Sequence, residues 1–430
     1  MKAAGAARAA IGAPADEDQR RQQLRRKSGR VVVALLLLCA IALGAVLGWV
    51  AGRRLWRHSG YSTGDGATLT RPGPWGQLER TPITISAPEE LLQVRLFEEE
   101  GTHWFFRDFS RDGLARAFES LGLAADLRGQ LLSRSVLATV TNGVVLSPPC
   151  KLLFDLPPRD RLALYSMLAA FPETKRGLQY VRTRSFEERF RASGVSPDAA
   201  SRIRKLGCER GRHLVFPGLA CVLSTLSTPE EKAHVLTAFS RQDTMLVRLH
   251  VTPESDINSL ATYWGKAVWN TDLKAILASL GRVPGGAYVD IIELLPPLPA
   301  SLLYTFPVPQ NPLNGAVVNR DCHWTAFNFF RDPPDPGYGD PEYVPDRLEL
   351  DYYPVASDLR FGDVVTFCRP DGSIIHSAVF LADDIVYSKN GGSALTPWLL
   401  STIADLRDSY SFHVPAGQNL TVTCYRNKYY

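Results

Sequence analysis

The sequence predicts an α+β protein in three parts: an N-terminal transmembrane helix, a mainly helical middle domain and a C-terminal domain of helices and short strands. Three observations carry this reading. Val31 to Gly52 is an uncharged apolar run long enough to cross a bilayer core of ~30 Å at ~1.5 Å per residue. Residues 85–300 are punctuated by helix-start chemistry. Beyond residue 315 the texture changes to short apolar runs bounded by turn residues, which read as strands.

The chain has 430 residues, enough for two or three cores, since one core rarely grows past ~250 residues. With 45% hydrophobic and 21% charged residues it belongs with folded rather than disordered chains. A formal charge of +4 is too small at this length to call for a nucleic-acid partner, and none is expected. The seven cysteines form no CxxC and no Cys/His cluster of zinc spacing, so neither a metal nor a cofactor is expected. A pair such as Cys208 and Cys221 is open to disulfide formation in an oxidising compartment.

Residues 1–30 form a basic tail. Arg20-Arg21, Arg25-Arg26-Lys27 and Arg30 outweigh Arg53, Arg54 and Arg57 on the far side of the apolar run. The positive-inside rule then leaves the tail in the cytoplasm and the C-terminal bulk outside it. The expectation is a single-pass protein of the cytoplasmic (inner) membrane, with the lipid bilayer as partner through residues 31–52. A cleaved signal peptide is the rival reading. Against it, the run exceeds the ~7–15 residues of an h-region, and Trp49 and Arg53 stand where small residues belong.

Residues 53–84, rich in Gly, Ser, Thr and Pro, read as a linker. In the middle domain, Pro88-Glu89-Glu90 opens a short helix and Pro157-Pro158 starts another through Phe171. Thr228-Pro229-Glu230-Glu231 matches a capping box with a helix through Phe239. Ser135–Leu146 and Met245–Val251 are strand-like interruptions. The role of this domain is not legible. A Pro-rich connector, 294–314, leads to the last domain, 315–430. There a helix over Cys322–Phe330 precedes strands at Asp363–Phe367, Ile374–Leu381, Ile385–Tyr387 and Leu420–Cys424, with a second helix over Pro397–Leu406.

The C-terminal domain holds the constellation with chemical potential. Asp321 is a candidate N-cap, and Cys322 follows in the first helical turn, where the local field favours a thiolate. His376 lies near the start of the second strand, and Ser388, Lys389 and Asn390 end the third. The order of helix-borne Cys, strand, His strand and a polar residue one hairpin later resembles the NlpC/P60 family of papain-like cysteine peptidases and its CHAP-amidase relatives. The likeness covers about Asp321 to Ser409, a fifth of the chain. It implies a papain-type fold, Cys322 as nucleophile, His376 as general base, and Ser388 or Asn390 as the residue that orients the base. In that family the nucleophile typically stands in an Asp-Cys-Ser-Gly run, whereas His323-Trp324 follow Cys322 here. The Gly362-Asp363 pair before the middle strand matches.

Each residue also has a bland reading. A lone Cys is more often a small buried hydrophobe, His376 suits a core, and Asn390 before Gly391-Gly392 suits a turn. His323 is not the expected base, because neighbours at i,i+1 on a helix do not face each other. No P-loop, HExxH or GxSxG motif is present. Three functions remain open: an extracytoplasmic thiol hydrolase of amide bonds, with peptidoglycan or another peptide as substrate; a non-catalytic envelope scaffold or binding protein on the same fold; and, behind these, acyl transfer to or from lipid.

Overall fold

The computed structural model describes residues 62–63, 66–92, 94, 102–168, 171, 179–216, 218–265, 272–308, 320–340, 342–414 and 418–429. All of them fall in one compact unit, Gly60–Tyr430.

Four sheets organise this unit. In the first, β1 (Ser62–Thr63) and β2 (Thr68–Leu69) flank β3 (Gln77–Ile85), which pairs along its length with β10 (Gln242–Val251), itself paired with β11 (Ala287–Asp290). Pro82 is tolerated inside β3 because it sits between the residues paired with β2 and those paired with β1. The second sheet is β4 (Trp104–Arg107), β6 (Gly143–Ser147) and β5 (Val136–Val140), covered by helices Arg111–Ser120 and Pro158–Leu168 over a core of Trp104, Phe106, Phe118 and Leu164. The third is β7 (Gln179–Arg182), β9 (His213–Phe216) and β8 (Cys208–Arg210); Phe216 packs there with Phe186, Phe190 and Phe239 from two helices.

The fourth sheet is antiparallel and six-stranded, in the order β12 (Tyr352–Val355), β17 (Thr421–Asn427), β13 (Val364–Cys368), β14 (Ile374–Ala382), β15 (Ile385–Lys389) and β16 (Trp398–Thr402). β13 to β15 are buried on both faces, with the helix Cys322–Phe327 on one. Gly362 opens β13 at φ +92°, and a Cβ there would meet the Phe330 ring at 2.2 Å, so glycine is required by both backbone and packing. Asp363 is buried beside it. It accepts from Arg426 Nε (2.9 Å) and Nη2 (2.7 Å) and from the Arg360 N–H (2.8 Å), which fixes β13 against β17.

Several expectations need correction. No helix among the described residues is long and apolar enough to cross a membrane, so the architecture they form is α+β without a transmembrane helix. The segment that predicts one, 31–52, and the basic tail 1–30 lie outside the described residues. Among the described residues, 85–300 carry more helix than strand, but β4 to β11 also lie there, spread over three sheets, with β5–β6 and β8–β9 as local hairpins and the other pairs joining more distant segments. The linker 53–84 holds all but the last residue of the nine-residue β3. The helix over Pro397–Leu406 is instead β16 followed by a helix at Ile403–Tyr410 capped by Thr402, because Trp398, Leu399 and Leu400 pair with β15 and are buried.

The boundary near 300–315 is no gap in packing. One core runs from Leu78, Val247 and Leu249 of the first sheet through Trp324 and Phe327 to Tyr387 and Trp398. Tyr263, beside Trp264 in this core, donates to the Leu381 carbonyl at 2.7 Å. The Thr244 hydroxyl donates to the Leu400 carbonyl (2.8 Å) and accepts from its N–H (3.2 Å), tying β10 to β16. The Pro-rich connector joins the same seam, with the Tyr304 N–H donating to the Trp398 carbonyl at 2.8 Å.

Capping at Thr228 forms as the sequence predicts, with both reciprocal bonds present. The disulfide differs: Cys150 pairs with Cys221 across 71 residues, and Cys208 is a buried free thiol. Replacing both half-cystines, Cys150→Ala with Cys221→Ala, should lower stability by about 2–4 kcal/mol in urea melts, because the unfolded chain regains the freedom of that loop. Asp363→Ala should cost about 3–5 kcal/mol by the same measurement, since it strands the Arg426 guanidinium in a largely buried site.

Candidate functional site

Asp321 sets the geometry. Its carboxylate accepts from the N–H groups of His323 (2.9 Å) and Trp324 (3.1 Å), and its carbonyl accepts from the Thr325 hydroxyl (2.7 Å). Trp398 Nε1 donates to that same hydroxyl at 2.9 Å, so the start of the Cys322–Phe327 helix is bolted to β16. All six helix residues are buried. Among the described residues the cap leaves the Cys322 N–H as the donor at the helix start that it does not engage.

The Cys322 thiol meets two imidazoles. His376, wholly buried on β14, reaches it across the sheet, and its ring stacks on Tyr410 at 4.2 Å and tilts against Phe367 at 5.6 Å. His323 also hydrogen-bonds the thiol, while its Nδ1 lies 2.9 Å from the Ser377 hydroxyl. Burial alone would push the thiol up. The charges of His323 and then His376 outweigh that and hold it well below its ordinary value. Burial, helped by the neighbouring Cys322, raises the Asp321 carboxyl against the pull of His323 and the two capping N–H groups. The Tyr410 phenol is raised by burial first, then by the charges of Cys322 and Asp321.

Lys389 turns into the interior. Its ammonium donates to the carbonyls of Gly391 (2.6 Å) and Ser393 (3.0 Å) and to the Thr396 hydroxyl (3.0 Å), and lies 5.7 Å from the centre of the Trp398 ring. Burial lowers it to about 7, with Asp321 and Cys322 drawing it back up. It pins the 390–396 loop that forms one rim of the site.

Of the residues the sequence singles out, Cys322 and His376 are brought together. Ser388 is fully buried on β15, and Asn390 is half-buried on the site's rim. Neither Ser388 Oγ nor Asn390 Oδ1 has a hydrogen-bond partner among the described residues. The His376 ring is positioned by Tyr410 instead. His323, Ser377, Lys389 and Tyr410 escape sequence reasoning. The i,i+1 rule that sets His323 aside holds along a helix, but in this first turn Cys322 and His323 both line one cavity. Tyr410 carries no signal, since only the packing of the Ile403–Tyr410 helix brings it to β14.

That cavity measures about 570 Å³, within the usual ~300–1,000 Å³ of small-molecule and peptide sites. Cys322, His323, Asn390 and Tyr410 form one wall. Arg80 and Gln242–Met245 of the first sheet form a second, and Tyr180, Arg182 and His213 of the third sheet close it. The middle region thus builds much of the enclosure around the thiol.

Comparison with protein-family models, curated proteins and solved structures finds no match to this chain. The NlpC/P60 resemblance therefore rests on the order and placement of these residues alone.

Tyr410→Leu should slow alkylation of Cys322 near neutral pH by removing the surface on which His376 lies, whereas Tyr410→Phe, which keeps the stack, should leave most of the rate. Iodoacetamide kinetics at fixed pH check this.

Proposed function

We propose that the protein is a thiol hydrolase of amide bonds, acting outside the cytoplasm on peptides such as those of the cell wall. The observation that carries the reading is a thiol shared by two imidazoles on the wall of an enclosed cavity. A structural cysteine in an apolar core has its thiol pushed up, as Cys208 does, to about 11. Cys322 is equally buried and is shifted the other way. Each unit of that shift corresponds to about 1.4 kcal/mol in favour of the thiolate.

In the reaction the thiolate adds to the amide carbonyl, the C–N bond breaks as the departing nitrogen takes a proton from an imidazole, and water hydrolyses the thioester. The Cys322 N–H is the donor available to the developing oxyanion. The Cys150–Cys221 disulfide supports an oxidising compartment for this work. The cavity's second and third walls, from the middle region, would hold the peptide on either side of the scissile bond.

The pH dependence of Cys322 alkylation tests the reading. In the full chain the reaction should proceed well below the free-thiol value of ~8.5, and His376→Ala should shift it upward. Alkylation of Cys322 only near or above that value, with or without His376, points instead to a non-catalytic envelope scaffold.

A further inference from the structure

The site holds two imidazoles for one thiol, and their surroundings differ. His376 is 0% exposed, and its ring lies against Tyr410 and Phe367; it is not part of the cavity wall. His323 is on that wall, beside Cys322. With Nδ1 on the Ser377 hydroxyl, its Nε2 is the nitrogen left to face the sulfur and whatever bonds to it.

The partner of His323 matters as much as its position. A serine hydroxyl accepts from the Nδ1–H that the ring carries both as imidazolium and as the neutral tautomer with a bare Nε2, so it holds the ring in place through both states. Ser377 is itself fully buried, which leaves it little other use.

We propose that His323, oriented by Ser377, is the catalytic proton carrier of the hydrolase described above, while His376, outside the cavity wall, stays beside the sulfur. The inference rests on the hydrolase reading. In acylation the Cys322 thiolate forms the C–S bond, the C–N bond breaks, and His323 Nε2–H gives its proton to the leaving nitrogen. In deacylation His323 Nε2 takes a proton from water, the hydroxide adds to the thioester carbon, and the C–S bond breaks. The products are a carboxylic acid, the thiolate and a recharged His323. Ser377 is a positioning residue in this scheme.

The steps separate with p-nitrophenyl acetate, whose leaving group departs without a proton. The full chain should give a stoichiometric burst of p-nitrophenolate followed by slow turnover. Assayed above the free-thiol value of ~8.5, where Cys322 ionises with or without its neighbours, His323→Gln should keep the burst while its turnover falls roughly 100-fold and the acetyl-enzyme accumulates by mass spectrometry. Ser377→Ala, a smaller change, should show the same split to a lesser degree with an unchanged thermal midpoint. Turnover unchanged in His323→Gln, or a burst lost together with turnover in Ser377→Ala, would overturn the proposal. A parent protein with neither burst nor low-pH alkylation would sink the hydrolase reading itself, so the two failures are distinct.

Discussion

Trp398 is the residue on which the site and the fold both hang. Its backbone pairs with Lys389 on one side and with Tyr304 and Thr305 on the other, so the outer edge of β16, the last strand of its sheet, is covered at Trp398. Its indole N–H holds Thr325, and through Thr325 the capped start of the Cys322 helix. Its ring lies beneath the Lys389 ammonium, which in turn pins the loop after β15. An aromatic of this size dominates local packing energetics, and a buried indole N–H without a partner would be costly. The helix, the loop and the seam to the first sheet are therefore fixed together.

The electrostatics of the site follow from that rigidity. A thiolate in a dry interior is unfavourable unless cationic donors are already in place, because burial favours the neutral thiol. Here the donors come from two directions. His323 arrives on the helix with the thiol, and His376 arrives on β14, held by the face of Tyr410. Asp321 is committed to the helix N–H groups rather than to either ring. The design differs from a linear chain of nucleophile, base and orienting residue, and it gives aromatic stacking the role that a third polar side chain serves elsewhere.

The region between the N-terminal residues and the last sheet is better understood as part of the site than as a separate module. The first sheet shares its core with the Cys322 helix, and the third sheet supplies the far wall of the cavity. Walls from three sheets surround the thiol with protein, which strengthens the charge interactions beside it.

Local chemistry was readable from the chain by itself. The capping box at Thr228, the Gly362-Asp363 turn, the Asp321 cap with Cys322 behind it and four of the last sheet's six strands, β13, β14, β15 and β17, all depend on residues within a few positions of one another. The strands of the middle region were not readable as a sheet system, since β3 and β10 are paired across some 160 residues and neither run announces its partner. Val144 and Leu214 are as apolar as helix residues until a sheet claims them. The same holds at the site. Cys322 and His376 could be named from order and spacing, but whether His323 or Asn390 meets them depends on how a helix end sits over a strand. The disulfide partner of Cys221 was decided by which helices pack together. Sequence fixes what each short segment prefers; only the tertiary structure decides which side chains share a cavity, because proximity there is set by packing between segments far apart in the chain.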